Sequence, residues 1–171
     1  MFGPIATPTI IDVEASGFGP QGYPIEVGVA LASGATHCYL VLPRADWTYW
    51  DKAAEQVHHI TRDSLEAYGR PLEEIAHALN AVIDTNTAFS DGWEVDSPWL
   101  NQLFYSAGIA PRFRLSALDY ILSEAQMSLW HETKAQIIAE MDSKRHRASL
   151  DALIIQKTYE RTARQTGRSS N

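Results

Sequence analysis

A mixed-sheet α/β domain is the fold class that this sequence predicts. Three β-type segments follow one another at the start of the chain, joined by Gly- and Pro-rich connections. Helical periods then alternate with two further short strands. With 171 residues, 45% hydrophobic and 20% charged, the chain can bury a sizeable core without disulfides or structural metals.

Residues 9–13 (TIIDV) carry the β-branched run of a short buried strand. The stretch EASGFGPQGYP that follows is loop chemistry. Residues 24–32 (PIEVGVALA) form a second strand, Ser33-Gly34 a tight turn and residues 36–42 a third strand, which together make an antiparallel meander. Two short helices are predicted over 51–57 and 62–68. Pro71 then opens a longer one in which Leu72, Ile75, Ala76, Leu79, Val82 and Ile83 fit a 3.6-residue period. Residues 87–90 read as a strand and 95–107 as a helix with Pro98 in its first turn. A last strand spans 113–117, two helices share 118–141, and an amphipathic helix covers 147–161. The final TARQTGRSSN has no apolar period. The expectation is one domain over 1–162 with a loose tail over 163–171.

The net charge of −7 argues against a protein that wraps long duplexes by neutralising many phosphates. The charge is unevenly spread. Residues 1–140 balance to −11 and residues 141–171 to +4, so an acidic body carries a basic C-terminal segment. The single cysteine, Cys38, excludes an internal disulfide framework. No basic leader precedes an apolar run, and the longest uncharged stretch, residues 27–43, is broken by His37 and two glycines. The expected setting is the cytoplasm, with no membrane span.

Asp12 and Glu14 end the first strand two residues apart and so project from one face. Two carboxylates on one face repel unless a cation sits between them, and Mg²⁺ favours carboxylates plus waters and phosphates. The loop Ala15-Ser16-Gly17-Phe18-Gly19 offers amides and a hydroxyl to a phosphate or sugar, with Phe18 as an apolar wedge against a base. A second acidic element, Ser90-Asp91-Gly92-Trp93-Glu94-Val95-Asp96, runs from a strand end into a helix. It leaves Asp91 and Asp96 as alternative ligands or caps. A third, Lys144-Arg145-His146-Arg147-Ala148-Ser149-Leu150-Asp151, sets a histidine among cations just before a helix, with an acid five residues on. Such a histidine can act as a general base, and helix N-termini favour anions.

Taken in order, these elements resemble the DEDDh family of 3'–5' exonucleases, whose members include ribonuclease T, oligoribonuclease and the proofreading subunit of bacterial replicative polymerase. Asp12-Val13-Glu14 with its Ala-Ser-Gly-Phe loop resembles the first motif, and Glu26 in PIEVGVAL the family's second-strand glutamate. His58-His59-Ile60-Thr61 resembles the family's H-G-I-T, with His59 in place of glycine. Asp91-Gly92-Trp93-Glu94-Val95-Asp96 stands where the family has H-N-x-x-F-D, which aligns Asp96 with the family aspartate. His146 and Asp151 match the closing H-x4-D, down to its H-R-A-x-x-D-A spelling.

The resemblance implies a ribonuclease H-like mixed sheet, its first three strands antiparallel and the later ones parallel, flanked by helices. It implies that Asp12, Glu14, Asp96 and Asp151 hold two Mg²⁺ or Mn²⁺ ions, roughly 3.5–4 Å apart. It makes His146 the base that takes the proton from the attacking water, a step worth about 10²–10⁴-fold. Ala15, Ser16, Gly17, Phe18, His59 and Trp93 would seat the last nucleotide, and Arg145 and Arg147 would touch upstream phosphates. The partner implied is a DNA or RNA 3' end; a homodimer and a polymerase-type partner both stay open. The principal alternative is a catalytically silent nucleic-acid-binding module on the same fold. A zinc hydrolase built on His58, His59 and His131 lacks a metal-ligand spacing beside a carboxylate pair.

Overall fold

The computed structural model describes residues 7–141 and 147–167. The β-branched opening run forms β1 (Ile10–Ala15), and β2 (Pro24–Ala30) returns beside it, with Ile10 opposite Ala30 and Glu14 opposite Glu26. β3 (Thr36–Leu40) closes the meander on the outer side of β2. β4 (Thr87–Ser90) joins β1 in parallel, and β5 (Arg114–Ala117) joins β4 in parallel. The sheet order β3-β2-β1-β4-β5 makes β1 and β2 interior strands, which is why β2 is buried along its whole length.

Helices cover both faces. α1 (Lys52–His58) and α2 (Arg62–Tyr68) are short, capped at their N-termini by the side chains of Asp51 and Thr61. α3 (Leu72–Val82) buries Leu72, Ile75, Ala76 and Leu79, as its period predicts. α4 (Trp93–Ala107) starts two residues earlier than its sequence pattern, so Pro98 falls inside the helix. α3 and α4 pack Leu79, Leu100 and Leu103 on Ile11, Val13, Val27 and Val29. The opposite face is held by Ile10, Ala30, Trp130, Ala152, Ile155 and Tyr159, the last four from α5 (Glu124–Met141) and α6 (Ala148–Gln165). The predicted pair of helices over 118–141 is a 3-10 turn at Leu118–Ile121 followed by one long helix. α6 continues past its predicted end at residue 161, with Ala163 buried.

Alternation along β1 now has a direction. Ile11 and Val13 point into the α3/α4 core and Ile10 into the α5/α6 core. Asp12 and Glu14, two and four residues after Ile10, share its face. The N-terminal end of α6 lies on that face against Gly28, the register partner of Asp12. A Cβ at Gly28 would stand 2.0 Å from the Ala148 carbonyl carbon and 2.1 Å from Ser149 N. The missing side chain is what lets the helix backbone descend onto the strand.

Candidate active site

Asp12, Glu14 and Asp151 converge. Each offers a carboxylate oxygen, and these lie within 4.8 Å of one another. Two come from the first strand and the third from the first turns of α6, lowered into place over Gly28. Among the described residues this group is the one with spacing suited to an ion, and it contains no histidine. The donor set is all oxygen, which suits a hard divalent cation.

Asp96 stands directly behind. It is buried in the first turn of α4. Its Oδ1 accepts the Val13 N–H at 3.3 Å, where β1 has run past its pairing with β4, and its Oδ2 accepts the Ser90 hydroxyl. Ser90 Oγ also accepts the Gly92 N–H at 2.9 Å, so the β4–α4 junction holds Asp96 in one orientation. Asp91 points elsewhere, to a 2.7 Å ion pair with Lys134 of α5. Of the two alternatives in this motif, Asp96 is the acid bonded into the strand that carries Asp12.

Among the described residues, the charges that act most on this cluster are negative. Burial first, then the charges of Asp96, Glu14, Asp151 and Asp91, push the Asp12 carboxyl well above its ordinary range. Glu14 is pushed up to about 7 by burial and by Asp151, Glu26 and Asp96. Asp96 is pushed up to about 7, mainly by burial, with the Ser90 and Val13 hydrogen bonds opposing. Three carboxyls held this high gain by sharing positive charge, and divalent cations fit that need.

Glu26, the partner of Glu14 across β1 and β2, is fully buried and fully engaged. It accepts from Arg147 Nε at 2.8 Å and from the Ala148 backbone N–H at 2.7 Å, and an Arg147 Nη stands 2.7 Å away in the same ion pair. The fold uses this carboxylate as the cap that α6 otherwise lacks, fixing the start of the helix that bears Asp151. Arg147, expected at upstream phosphates, pairs with Glu26 while its side chain stays 43% exposed. Neither Glu26's role nor that of Gly28 is visible in local sequence, because their partners are more than a hundred residues away. Arg145 and His146 lie outside the described residues.

A cleft of about 140 Å³ opens beside Glu14, lined by Ala15, Gly17, Phe18, His58, Val95 and Trp99 among others. Phe18 is 74% exposed at its edge and offers an apolar ring to whatever enters the cleft. Gly17 has φ 155°, and a Cβ there would meet Asp51 and Tyr49 within 2.8 Å. Ser16 departs from expectation. It is buried, and its hydroxyl accepts the Tyr23 N–H at 3.2 Å, facing the loop's own backbone. His59 caps α1 in the left-handed region at φ 57°, a conformation natural to the glycine it replaces. Trp93 is exposed, its Nε1–H donating to the Leu115 carbonyl at 3.0 Å, away from this cleft. The neighbouring His58 enters the cleft wall instead. Its Nδ1 accepts the Ile60 N–H at 3.0 Å, which leaves the hydrogen on Nε2, a buried atom with no protein partner. Burial holds His58 below the ordinary histidine range, hence neutral.

No family model and no curated protein sequence matches the chain. Solved structures do. The chain resembles Escherichia coli exonuclease I in complex with a 5cy-dT13 oligonucleotide, with a TM-score of 0.69 and 16% identity, over 95% of this chain and 42% of that one. It resembles the same enzyme in complex with a dA16 oligonucleotide (0.68, 13%, 92% and 41%). The zinc-bound complex of that enzyme with single-stranded DNA matches similarly (0.67, 16%, 92% and 41%). The chain thus spans about two fifths of the length of these exonuclease I chains. It has the ribonuclease H-like mixed-sheet fold that the DEDDh resemblance implies.

Proposed function

We propose that this chain is a divalent-metal-dependent 3'–5' exonuclease acting on single-stranded or short nucleic acid and releasing nucleoside 5'-monophosphates. The observation that carries this reading is the convergence of Asp12, Glu14 and Asp151 within 4.8 Å, backed by buried Asp96. The fold likeness to exonuclease I bound to dT13 and dA16 supports it and puts single-stranded DNA first among substrates.

In this reading Asp12, Glu14 and Asp151 hold two Mg²⁺ or Mn²⁺ ions with Asp96 completing the set. When bound, such ions lower the pKa of water and stabilise a leaving 3'-oxygen. His146, from the segment just before α6, takes the proton from the attacking water. The cleft beside Glu14 seats the terminal nucleotide, with Phe18 and Trp99 against its base. His58 Nε2–H is an unspent donor in that wall, available to a base or sugar oxygen.

The test is incubation with 5'-labelled DNA and RNA oligomers in Mg²⁺, Mn²⁺ or EDTA. A ladder of single-nucleotide steps from the 3' end, absent in EDTA, is expected. Binding with no ladder in either metal would overturn the reading and leave the silent binding module. His146→Ala should slow turnover about 10²-fold or more while leaving Mn²⁺ affinity, read by calorimetry, nearly unchanged. An unaltered rate at neutral pH removes His146 from the base role.

A further inference from the structure

Ser90 ends β4 and is buried. A serine hydroxyl has one proton to give and two lone pairs. One lone pair accepts the Gly92 N–H at 2.9 Å, and the proton goes to Asp96 Oδ2. Gly92 is the N-cap of α4, a helix with no side-chain cap, and its carbonyl accepts the Val95 and Asp96 N–H groups at 2.9 Å. The turn that starts the helix therefore also aims the Ser90 proton at the acid in the helix's first turn. The second oxygen of Asp96 reaches another strand. Oδ1 accepts the Val13 N–H at 3.3 Å, and Val13 stands between Asp12 and Glu14. The register of β1 with β4 is at Ile10 and Phe89, so at Val13 a side-chain carboxylate does what a neighbouring strand does elsewhere in the sheet.

We infer that Ser90 is a positioning residue for the carboxylate site, acting through Asp96 on the stretch of β1 that spaces Asp12 from Glu14. The inference rests on the exonuclease reading and adds what keeps the ion site in shape. Ser90 spends its proton on Asp96, and Asp96 is the group that would meet an ion. A carboxylate oxygen has two lone-pair directions, so each Asp96 oxygen can keep its hydrogen bond and still face a cation. Without the hydroxyl, the Asp96 carboxylate is free to turn about its Cβ–Cγ bond, a broad and weakly restricted torsion. The Val13 N–H then loses a fixed acceptor, and the Gly92 N–H loses its own. One hydroxyl thus braces three elements at the site, β4, α4 and β1.

The experiment is a double-mutant cycle in the full chain, read as Mn²⁺ affinity by calorimetry. Ser90→Ala should weaken Mn²⁺ binding about tenfold, as loss of a partner behind a metal ligand does. Ser90→Thr keeps the hydroxyl and should bind like the wild type. On an Asp96→Ala background, Ser90→Ala should change the affinity by less than about twofold, because the group that carries its effect is gone. In the metal-free protein, the Val13 amide should exchange its hydrogen about tenfold faster in Ser90→Ala than in the wild type. In Mg²⁺, kcat on a dT pentamer should fall about tenfold while KM stays within about twofold, since Ser90 is buried and lines no part of the cleft beside Glu14. If Ser90→Ala does not fold, Ser90→Cys takes its place, with a much weaker donor in a side chain of similar size and the same losses expected. Equal affinity losses on the two backgrounds, or an unchanged Val13 exchange rate, overturn the inference and leave Ser90 as a fastening of the α4 start. A wild type that binds Mn²⁺ but cleaves no oligomer defeats the exonuclease reading alone, and the cycle still decides the role of Ser90.

Discussion

Glu14 and Glu26 face each other across β1 and β2, and they live in opposite circumstances. Glu26 is fully buried, with two N–H donors on its two oxygens and the Arg147 guanidinium paired against it. Glu14 is half-buried, and the charges of the described residues that act on it, from Asp151, Glu26 and Asp96, are negative. Like charges opposite one another in a sheet are destabilising, so the arrangement costs stability on the Glu14 side. The contrast separates a carboxylate that builds the fold from carboxylates that the fold holds ready for something positive. Burial alone does not distinguish them: Glu26 is paired with a cation, whereas the described partners of buried Asp96, the Val13 N–H and the Ser90 hydroxyl, are neutral.

Four experiments can break or sharpen this contrast. The largest effect belongs to Asp12→Asn and Asp151→Asn, each expected to lower nuclease turnover by at least about 10³-fold, since a bound cation is worth several kcal/mol at the reacting phosphate. The same substitutions should raise the melting temperature of the metal-free protein, because they remove repulsion. Activity retained in both would dissolve the functional half of the contrast.

Next comes Gly28→Ala. Its methyl group would meet the α6 backbone head-on, so a loss of about 3 kcal/mol in urea unfolding is expected, with weaker Mn²⁺ binding as Asp151 is lifted away. Unchanged metal affinity would show that α6 can dock without this close approach. Glu26→Gln should cost about 2 kcal/mol, because its amide still accepts the Ala148 N–H but turns NH₂ toward Arg147. A neutral result would place Glu26 among the expendable acids.

The smallest effect is the pH dependence of the metal-free protein. Asp12, Glu14 and Asp96 have folded-state values above their unfolded ones, so the folded chain binds more protons between the two. Stability is then fully present below about pH 4 as far as these groups are concerned, and it declines as pH rises toward and through about 7. Divalent cations should flatten the decline, and their affinity should fall as pH drops below 7. Denaturant midpoints at pH 5 and 8, with Mg²⁺ and with EDTA, measure this; a midpoint in EDTA that rises with pH contradicts the sign.

Much of this architecture is written locally. The strand runs, the 3.6-residue period of α3 and the i, i+2 acids of β1 need no tertiary information, and all stand where pattern puts them. The D-x-E pair and the acid near the start of α6 were readable because strand alternation and helix entry fix where such side chains project. Though the family resemblance points to Asp96, from residue pattern alone the choice between Asp91 and Asp96 stays open. It turns on a backbone N–H of β1, a hydroxyl of β4 and a lysine 43 residues away on α5. Arg147 illustrates the same limit. A basic residue at a helix start reads as a phosphate contact until the fold delivers a buried glutamate from 121 residues earlier. Ser16 looked like a ligand group by type, but its hydroxyl is spent on the turn that shapes the loop.

The carboxylate trio joins the first strand of the chain to its last helix. During synthesis Asp12 and Glu14 emerge early, but any product ending before residue 151 lacks the third acid, and the Glu26 clasp has nothing to grip until Arg147 follows. A break anywhere between residues 26 and 147 therefore parts Asp12 and Glu14 from Asp151 and Glu26 from its clasp in one stroke.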